Sequence, residues 1–208
     1  APLEERAIQA LADIADSPAG LLLAPDDHGE MVLAAKWNWP SVEVPARAMP
    51  PGAISYFEQS GRIVDLDDLR AGRAEAGEAE VVPAWLHEEL RAWALIPLIH
   101  FDRLVGLVVL VRATPARRFD WEDFDLMRIA GRQLASYLAE HAVQAALAEA
   151  SRFDDFHRRI AFVMHDIKNL TSQLSLLARN ADWHANQLDF RADMLVTLRN
   201  SADKLNTL

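Results

Sequence analysis

The chain has 208 residues, 51% of them hydrophobic, enough for one globular domain plus a helical extension. It has no cysteine, which excludes disulfide scaffolds, Cys-ligated zinc, iron–sulfur clusters and thiol catalysis. The net charge is −10 and uneven: residues 1–150 hold 13 Lys/Arg against 24 Asp/Glu, so this front part argues against non-specific nucleic-acid binding.

In chain order, Leu3, Ala7, Ile8, Leu11 and Ile14 recur at helical spacing and predict a helix over residues 3–15. Ser17-Pro18-Ala19-Gly20 ends it. Leu21–Leu23 and Met31–Trp37 predict two strands, joined as a hairpin by the turn residues Pro25-Asp26-Asp27-His28-Gly29. Pro40, Pro45, Pro50 and Pro51 predict a loop over the sheet. A short helix over Ile54–Gly61 stops at its glycine. Ile63–Leu66 predicts a strand, and Ala71 to Glu80 reads as a mobile loop. Pro83 suits the first turn of a helix running to Leu90. Ala94–Ile99 and Leu104–Val111 predict a central antiparallel hairpin, with Pro97 at an edge or bulge.

From Trp121 to about Asn180 there is no Pro and only one Gly, Gly131, which predicts one long helix. Met127, Ala130, Leu134, Tyr137, His141, Gln144 and Ala148 form a first apolar stripe at spacings of three and four. Phe153, Phe156, Ile160, Val163, Ile167, Leu170, Leu174, Leu177 and Ala181 form a second. The two are out of phase between Ala148 and Phe153, which predicts two competing coiled-coil packings there. Ala181–Gln187 predicts a turn, and a second helix follows from Leu188 or Asp189 to the end. Its seam is Leu188, Leu195, Leu198, Ala202 and Leu205, with Arg191 a gap. Two such helices cannot bury both seams alone, so pairing of two chains into a four-helix bundle is expected.

With Ile160 at heptad position a, His165 falls at f, on the outer face of its helix. Asn169 lies one turn on along the same face, and Asp166 is the next residue round. A nucleophile, an acid and an amide are thus displayed together. From spacing alone, a surface His beside a solvated Asp is an equally good reading.

Resemblance carries this further. His165-Asp166-Ile167-Lys168-Asn169-Leu170 on such a helix resembles the phosphoacceptor box of bacterial sensor histidine kinases. The stretches Gly131–Ala139, Phe162–Leu170, Gln173–Leu176 and Asp193–Leu195 resemble the PrsK family of the PEP-CTERM/exosortase system. Many such kinases have Pro where this chain has Leu170, so no kink is expected. Ile96-Pro97-Leu98, Leu104–Leu110 and Phe119–Leu126 resemble a GAF domain. The fold class expected is α+β: a GAF-like antiparallel sheet with helices, then a long helix and a two-helix hairpin that makes a four-helix bundle on dimerisation. The expected domains are a GAF-like sensor over 1–120, a signalling helix over 121–151, and a dimerisation and histidine-phosphotransfer hairpin over 152–208.

The resemblance implies that His165 attacks the γ-phosphoryl group of ATP. It implies that Asp166 takes or orients the imidazole proton, and that Asn169 places a water that later removes phosphate from the partner protein. Imidazole suits the task because it is a good nucleophile, largely unprotonated near neutral pH. The implied partners are a second copy, a response regulator and the ATP-binding domain of the same protein. ATP and magnesium serve the parent kinase; no cofactor and no metal are expected in these residues, where no Gly-rich nucleotide loop occurs. Without an initiator Met the chain reads as a fragment, and family members carry membrane helices upstream. The longest apolar run here, Leu104 to Val111, is too short to cross a bilayer, so a cytoplasmic fragment of an inner-membrane protein is expected.

Two other classes stand beside this one. A non-catalytic dimeric scaffold with a ligand-binding GAF-type domain would stay unlabelled by a supplied kinase domain. A metal-dependent His-Asp hydrolase needs converging ligands that the spacing does not offer: His157 and His165 are two turns apart and badly offset, and His28, His87, His100, His141 and His184 show no ligand pattern. Trp37, Trp39, Tyr56, Trp85 and Trp93 could line a small-molecule pocket, although ordinary core aromatics are the commoner case.

Overall fold

A computed structural model describes residues 2–114, 119–184 and 186–207. The chain divides into two compact units, Ala1–Val143 and Gln144–Leu208. The boundary falls inside one continuous helix, Trp121–His184.

The first unit opens with α1 (Leu3–Ile14), followed by the hairpin β1 (Gly20–Pro25) and β2 (Met31–Trp37). Asp26 closes the hairpin turn, accepting the backbone N–H groups of Glu30 and His28 at 2.8 and 2.9 Å. Then come α2 (Ala53–Ser60), β3 (Val64–Asp65), α3 (Leu66–Arg70), α4 (Glu78–Val81) and α5 (Ala84–Glu88). α2 ends where Gly61 takes a left-handed φ of 58°. β4 (Ala92–His100) and β5 (Arg103–Val111) complete one antiparallel sheet of order β2-β1-β5-β4-β3. The β4–β5 turn is two residues, Phe101 and Asp102, at φ 46° and 58°.

Several elements depart from the sequence reading. The strand expected over Ile63–Leu66 is only Val64–Asp65, because Asp65 caps α3 by accepting from the N–H groups of Asp67 and Asp68. Leu66 therefore starts a helix. The loop expected from Ala71 to Glu80 ends in α4, where Glu78 is buried. Pro83 stands before the first turn of α5, not within it. Pro97 sits in β4, opposite Leu107, next to a register shift between Leu98 and Ile99. Among the described residues the outer side of β4 is paired only at Ala94 and Leu95, so β4 is locally an edge at Pro97.

Strands β1, β4 and β5 read as near-continuous apolar runs because both sheet faces are covered. Leu21, Leu23, Leu95, Leu107 and Val109 face the side closed by α2–α5 and the proline-rich loop. Leu22, Ile96, Leu98, Val108 and Leu110 face α1 and the start of α6 (Trp121–His184). One side chain ties the first side together. Arg70, on α3, donates to the carbonyls of His87, Leu86, Glu89 and Ala92 at 2.8–3.1 Å, and pairs with Asp67.

The first stripe expected on α6 is also corrected. Met127, Ala130 and Leu134 of that stripe do pack against the sheet, but so do Phe124, Gly131, Ala135 and Leu138 beside it, while Tyr137 is exposed. His141, Gln144 and Ala148 are exposed as well. The stripe from Met127 to Ala148 is thus not one coiled-coil seam, because the sheet claims its first turns.

The second unit holds the rest of α6 and α7 (Leu188–Asn206). α6 continues to His184, so the turn is shorter than the predicted Ala181–Gln187; Ala185, expected within it, lies outside the described residues. Among the described residues no helix is long and apolar enough to cross a membrane.

Candidate functional site

α6 and α7 form an antiparallel hairpin in the second unit. The ring of His184, the last residue of α6, lies 5.9 Å from that of Phe190 near the start of α7. Towards the other end, Lys204 Nζ is 4.0 Å from Asp166 Oδ2. Between these, Leu170 and Ser201 are the buried side chains. Where Pro is common among the kinases this box resembles, Leu170 continues the helix and supplies its packing.

His165 sits in mid-helix with its side chain 69% exposed. Asp166 Oδ1 is 3.4 Å from His165 Nδ1, and its carboxylate is half-buried toward α7. Asn169 Nδ2 is 3.4 Å from Nδ1 and 3.4 Å from Nε2. Equal distances set the amide against the ring and not on a single lone pair. The hydroxyls of Thr171 and Ser172 donate back to the carbonyls of Ile167 and Lys168, so they are spent within the helix. A carboxylate beside Nδ1 favours the tautomer with its proton there, leaving the lone pair on Nε2. The three residues picked from the sequence are therefore neighbours. Lys204 was missed, because only the hairpin brings α7 beside Asp166.

The α7 seam is partly corrected. Leu188, Leu195, Leu198, Ala202 and Leu205 are all exposed, and the less exposed positions are Phe190, Met194, Thr197 and Ser201. On α6, Phe153, Phe156, Ile160 and Ile167 remain exposed, while Val163, Leu174, Leu177 and Ala181 are half-buried. A two-helix hairpin buries one stripe per helix, and the adjacent stripe stays open.

In the first unit, the family model for the GAF domain matches residues 5–138. The chain belongs to the GAF domain family. The chain is also similar to several solved structures. A GAF domain/HD domain protein from Geobacter sulfurreducens superposes with a TM-score of 0.50 at 12% identity, over 66% of this chain and 90% of that one. The GAF-B domain of DevS from Mycobacterium smegmatis gives 0.48 at 20% identity, over 70% and 96%. A domain of a two-component sensor histidine kinase protein from Sinorhizobium meliloti gives 0.44 at 17% identity, over 72% and 94%. No curated relative matches the chain by sequence.

The five aromatics offered as one pocket lining are divided by the GAF sheet. Trp39, Tyr56 and Trp85 pack on the α2–α5 side, where Trp85 Nε1 donates to the Ala48 carbonyl at 2.7 Å. Trp37 and Trp93 pack on the α1 and α6 side. They are core, as the commoner reading had it. Among the described residues no group of three or more His, Asp or Glu gathers as metal ligands. His184 ends α6 beside Phe190 and is exposed.

Proposed function

We propose that this chain is the sensing and phosphoacceptor part of a two-component histidine kinase. The GAF domain, a type found in signal-sensing regions, receives the signal. His165 takes the γ-phosphoryl group of ATP, held with magnesium by a separate ATP-binding domain, and passes it to an Asp of a response regulator.

The observation that carries this is the cluster on α6: an exposed imidazole with a carboxylate 3.4 Å from Nδ1 and an amide across the ring. Phosphoryl transfer depends mainly on alignment and charge compensation, and Nε2 of this exposed ring can meet an in-line donor. Nε2 is the nucleophile in this reading. Asp166, oriented by Lys204, holds the proton on Nδ1. Asn169 positions the water that removes phosphate from the regulator. A second copy covers the exposed Phe153, Phe156, Ile160, Leu195 and Leu198, giving a four-helix bundle. The likeness to the PrsK family of PEP-CTERM systems, in the stretches quoted above, supports a parent protein anchored in the inner membrane with this part in the cytoplasm. The parent is then a protein-histidine kinase, and this chain alone is inactive as one.

The test supplies the ATP-binding domain in trans with labelled ATP and magnesium. Acid-labile label should enter the parent chain and be absent from His165→Ala. Label that persists in the variant, or never enters the parent chain, overturns the proposal in favour of a non-catalytic GAF scaffold.

A further inference from the structure

A cleft of about 430 Å³ opens in the GAF domain beside β3, lined by the α2–β3 link, α3, the approach to α4 and the first turns of α6. Three arginines and five carboxylates line it. Each arginine is already matched: Arg62 with Glu75 at 3.2 Å, Arg73 with Asp68 at 2.5 Å, and Arg128 with Asp125 at 2.7 Å. Two carboxylates are left, Asp65 and Glu78, with no cation paired to them among the described residues.

Both are fixed by the fold. Asp65 caps α3 through the N–H groups of Asp67 and Asp68. Glu78 is 4% exposed, and its Oε2 accepts the N–H of Glu75 at 2.9 Å. No donor reaches its other oxygen among the described residues. That oxygen is not among the enclosed polar atoms, so it opens to solvent at the cleft. It borders a cleft of the size that takes a small molecule.

The same cleft is lined by aromatic rings. Phe119 stacks on Trp93 at 4.4 Å, and Phe124 meets it edge-on at 6.5 Å. Trp121 is left 72% exposed, a large ring with nothing packed over most of it. Ring faces attract a cation, most strongly that of Trp, and a nearby carboxylate neutralises it. A bare metal ion would find only two uncommitted carboxylates here and no use for the rings. An anion would meet arginines that already have partners.

We infer that this cleft binds a small organic ammonium ion, with Glu78 and Asp65 as its counter-charges and Trp121 as an aromatic wall. The site is distinct from the His165 cluster and does not rest on the kinase reading.

The test uses the 208-residue chain and three probes of one shape: choline, its uncharged isostere 3,3-dimethylbutan-1-ol, and the anion 3,3-dimethylbutyrate. The indole N–H resonance of Trp121 is followed by NMR and assigned with Trp121→Phe. Choline should shift it saturably in the millimolar range, and the other two should bind at least about tenfold more weakly. Glu78→Gln, which keeps an acceptor for the Glu75 N–H, should weaken choline by about tenfold. Trp121→Ala removes an exposed ring and should leave the fold intact; followed through line broadening of the choline methyl resonance in place of the indole, it should also weaken choline, which keeps the inference testable if Glu78→Gln proves unfolded. Equal binding of all three probes, preference for the anion, or no saturation by choline overturns the inference.

Discussion

The side-chain nitrogen of Asn169 stands 3.4 Å from both ring nitrogens of His165, one helical turn earlier. The amide therefore borders the reactive face without holding either lone pair. On the proposed function, Asn169→Ala in the full-length protein should leave autophosphorylation near the parent rate and slow dephosphorylation of the regulator. Asp166→Asn should keep the fold and slow phosphoryl entry by about a hundredfold, the usual scale for a lost proton-handling group. Phosphotransfer time courses with each variant check both. A slow entry step in Asn169→Ala together with normal regulator turnover would reverse the two roles.

The exposed stripes on the α6–α7 hairpin predict a homodimer. Sedimentation at micromolar concentration should give twice the chain mass. Ile167→Asp, in the middle of the second α6 stripe, should return a folded monomer, since dimerisation would bury an unpaired charge. A parent chain that sediments as a monomer sinks the four-helix bundle.

Arg70 is the most committed side chain of the GAF domain, spanning α3, the α5 end and β4 through four carbonyls. Lysine cannot reproduce that fork. Arg70→Lys should cost about 2–4 kcal/mol, because charge-assisted bonds are lost and buried carbonyls are left without donors. Urea denaturation with unchanged slope measures it.

Three glycines should respond differently to alanine. A Cβ at Gly20 would meet the Val109 carbonyl oxygen at 2.9 Å, and one at Gly106 the Leu23 carbonyl oxygen at 2.9 Å. Backbone cannot give way cheaply there, so Gly20→Ala and Gly106→Ala should each lose about 1–3 kcal/mol. At Gly131 the nearest atom is the Pro97 carbonyl oxygen at 3.4 Å, an ordinary contact. Gly131→Ala should gain up to about 1 kcal/mol from helix propensity. Thermal melts of the three variants rank them.

Two carboxyls should titrate on opposite sides of the usual value. Asp26 is lowered, first by the Glu30 N–H that it accepts. Asp65 is raised, first by desolvation, against the pull of the Asp68 and Asp67 N–H groups. The signs follow. The Asp26 contribution to stability is present above its unfolded value and lost as pH falls through its folded one. The Asp65 contribution is present below its unfolded value and lost as pH rises through its folded one. Side-chain carboxyl NMR should find Asp26 titrating well before Asp65 as pH rises. An inverted order would contradict the burial of Asp65.

Local pattern was sufficient for much of this molecule. α1, the β1–β2 hairpin, α2 with its Gly61 stop, the β4–β5 hairpin and the two C-terminal helices are all legible as periodicity and turn chemistry. The grouping of His165, Asp166 and Asn169 is legible for the same reason, since residues one and four apart on a helix are neighbours whatever packs around it. What lies far apart in sequence was decided only by tertiary structure. The division of the five aromatics between two sheet faces depends on strand order. The claim of the sheet on Phe124, Met127 and Ala135 turned an expected seam into a core face. The Asp166–Lys204 contact depends on which stripe of α7 meets α6: the apolar spacing singled out Leu195 and Leu198, and the hairpin instead turns Met194, Thr197 and Ser201 inward. Asp65, Glu78 and Trp121 share a cleft only because the sheet edge, the α4 approach and the start of α6 meet there, and no spacing along the chain encodes that meeting.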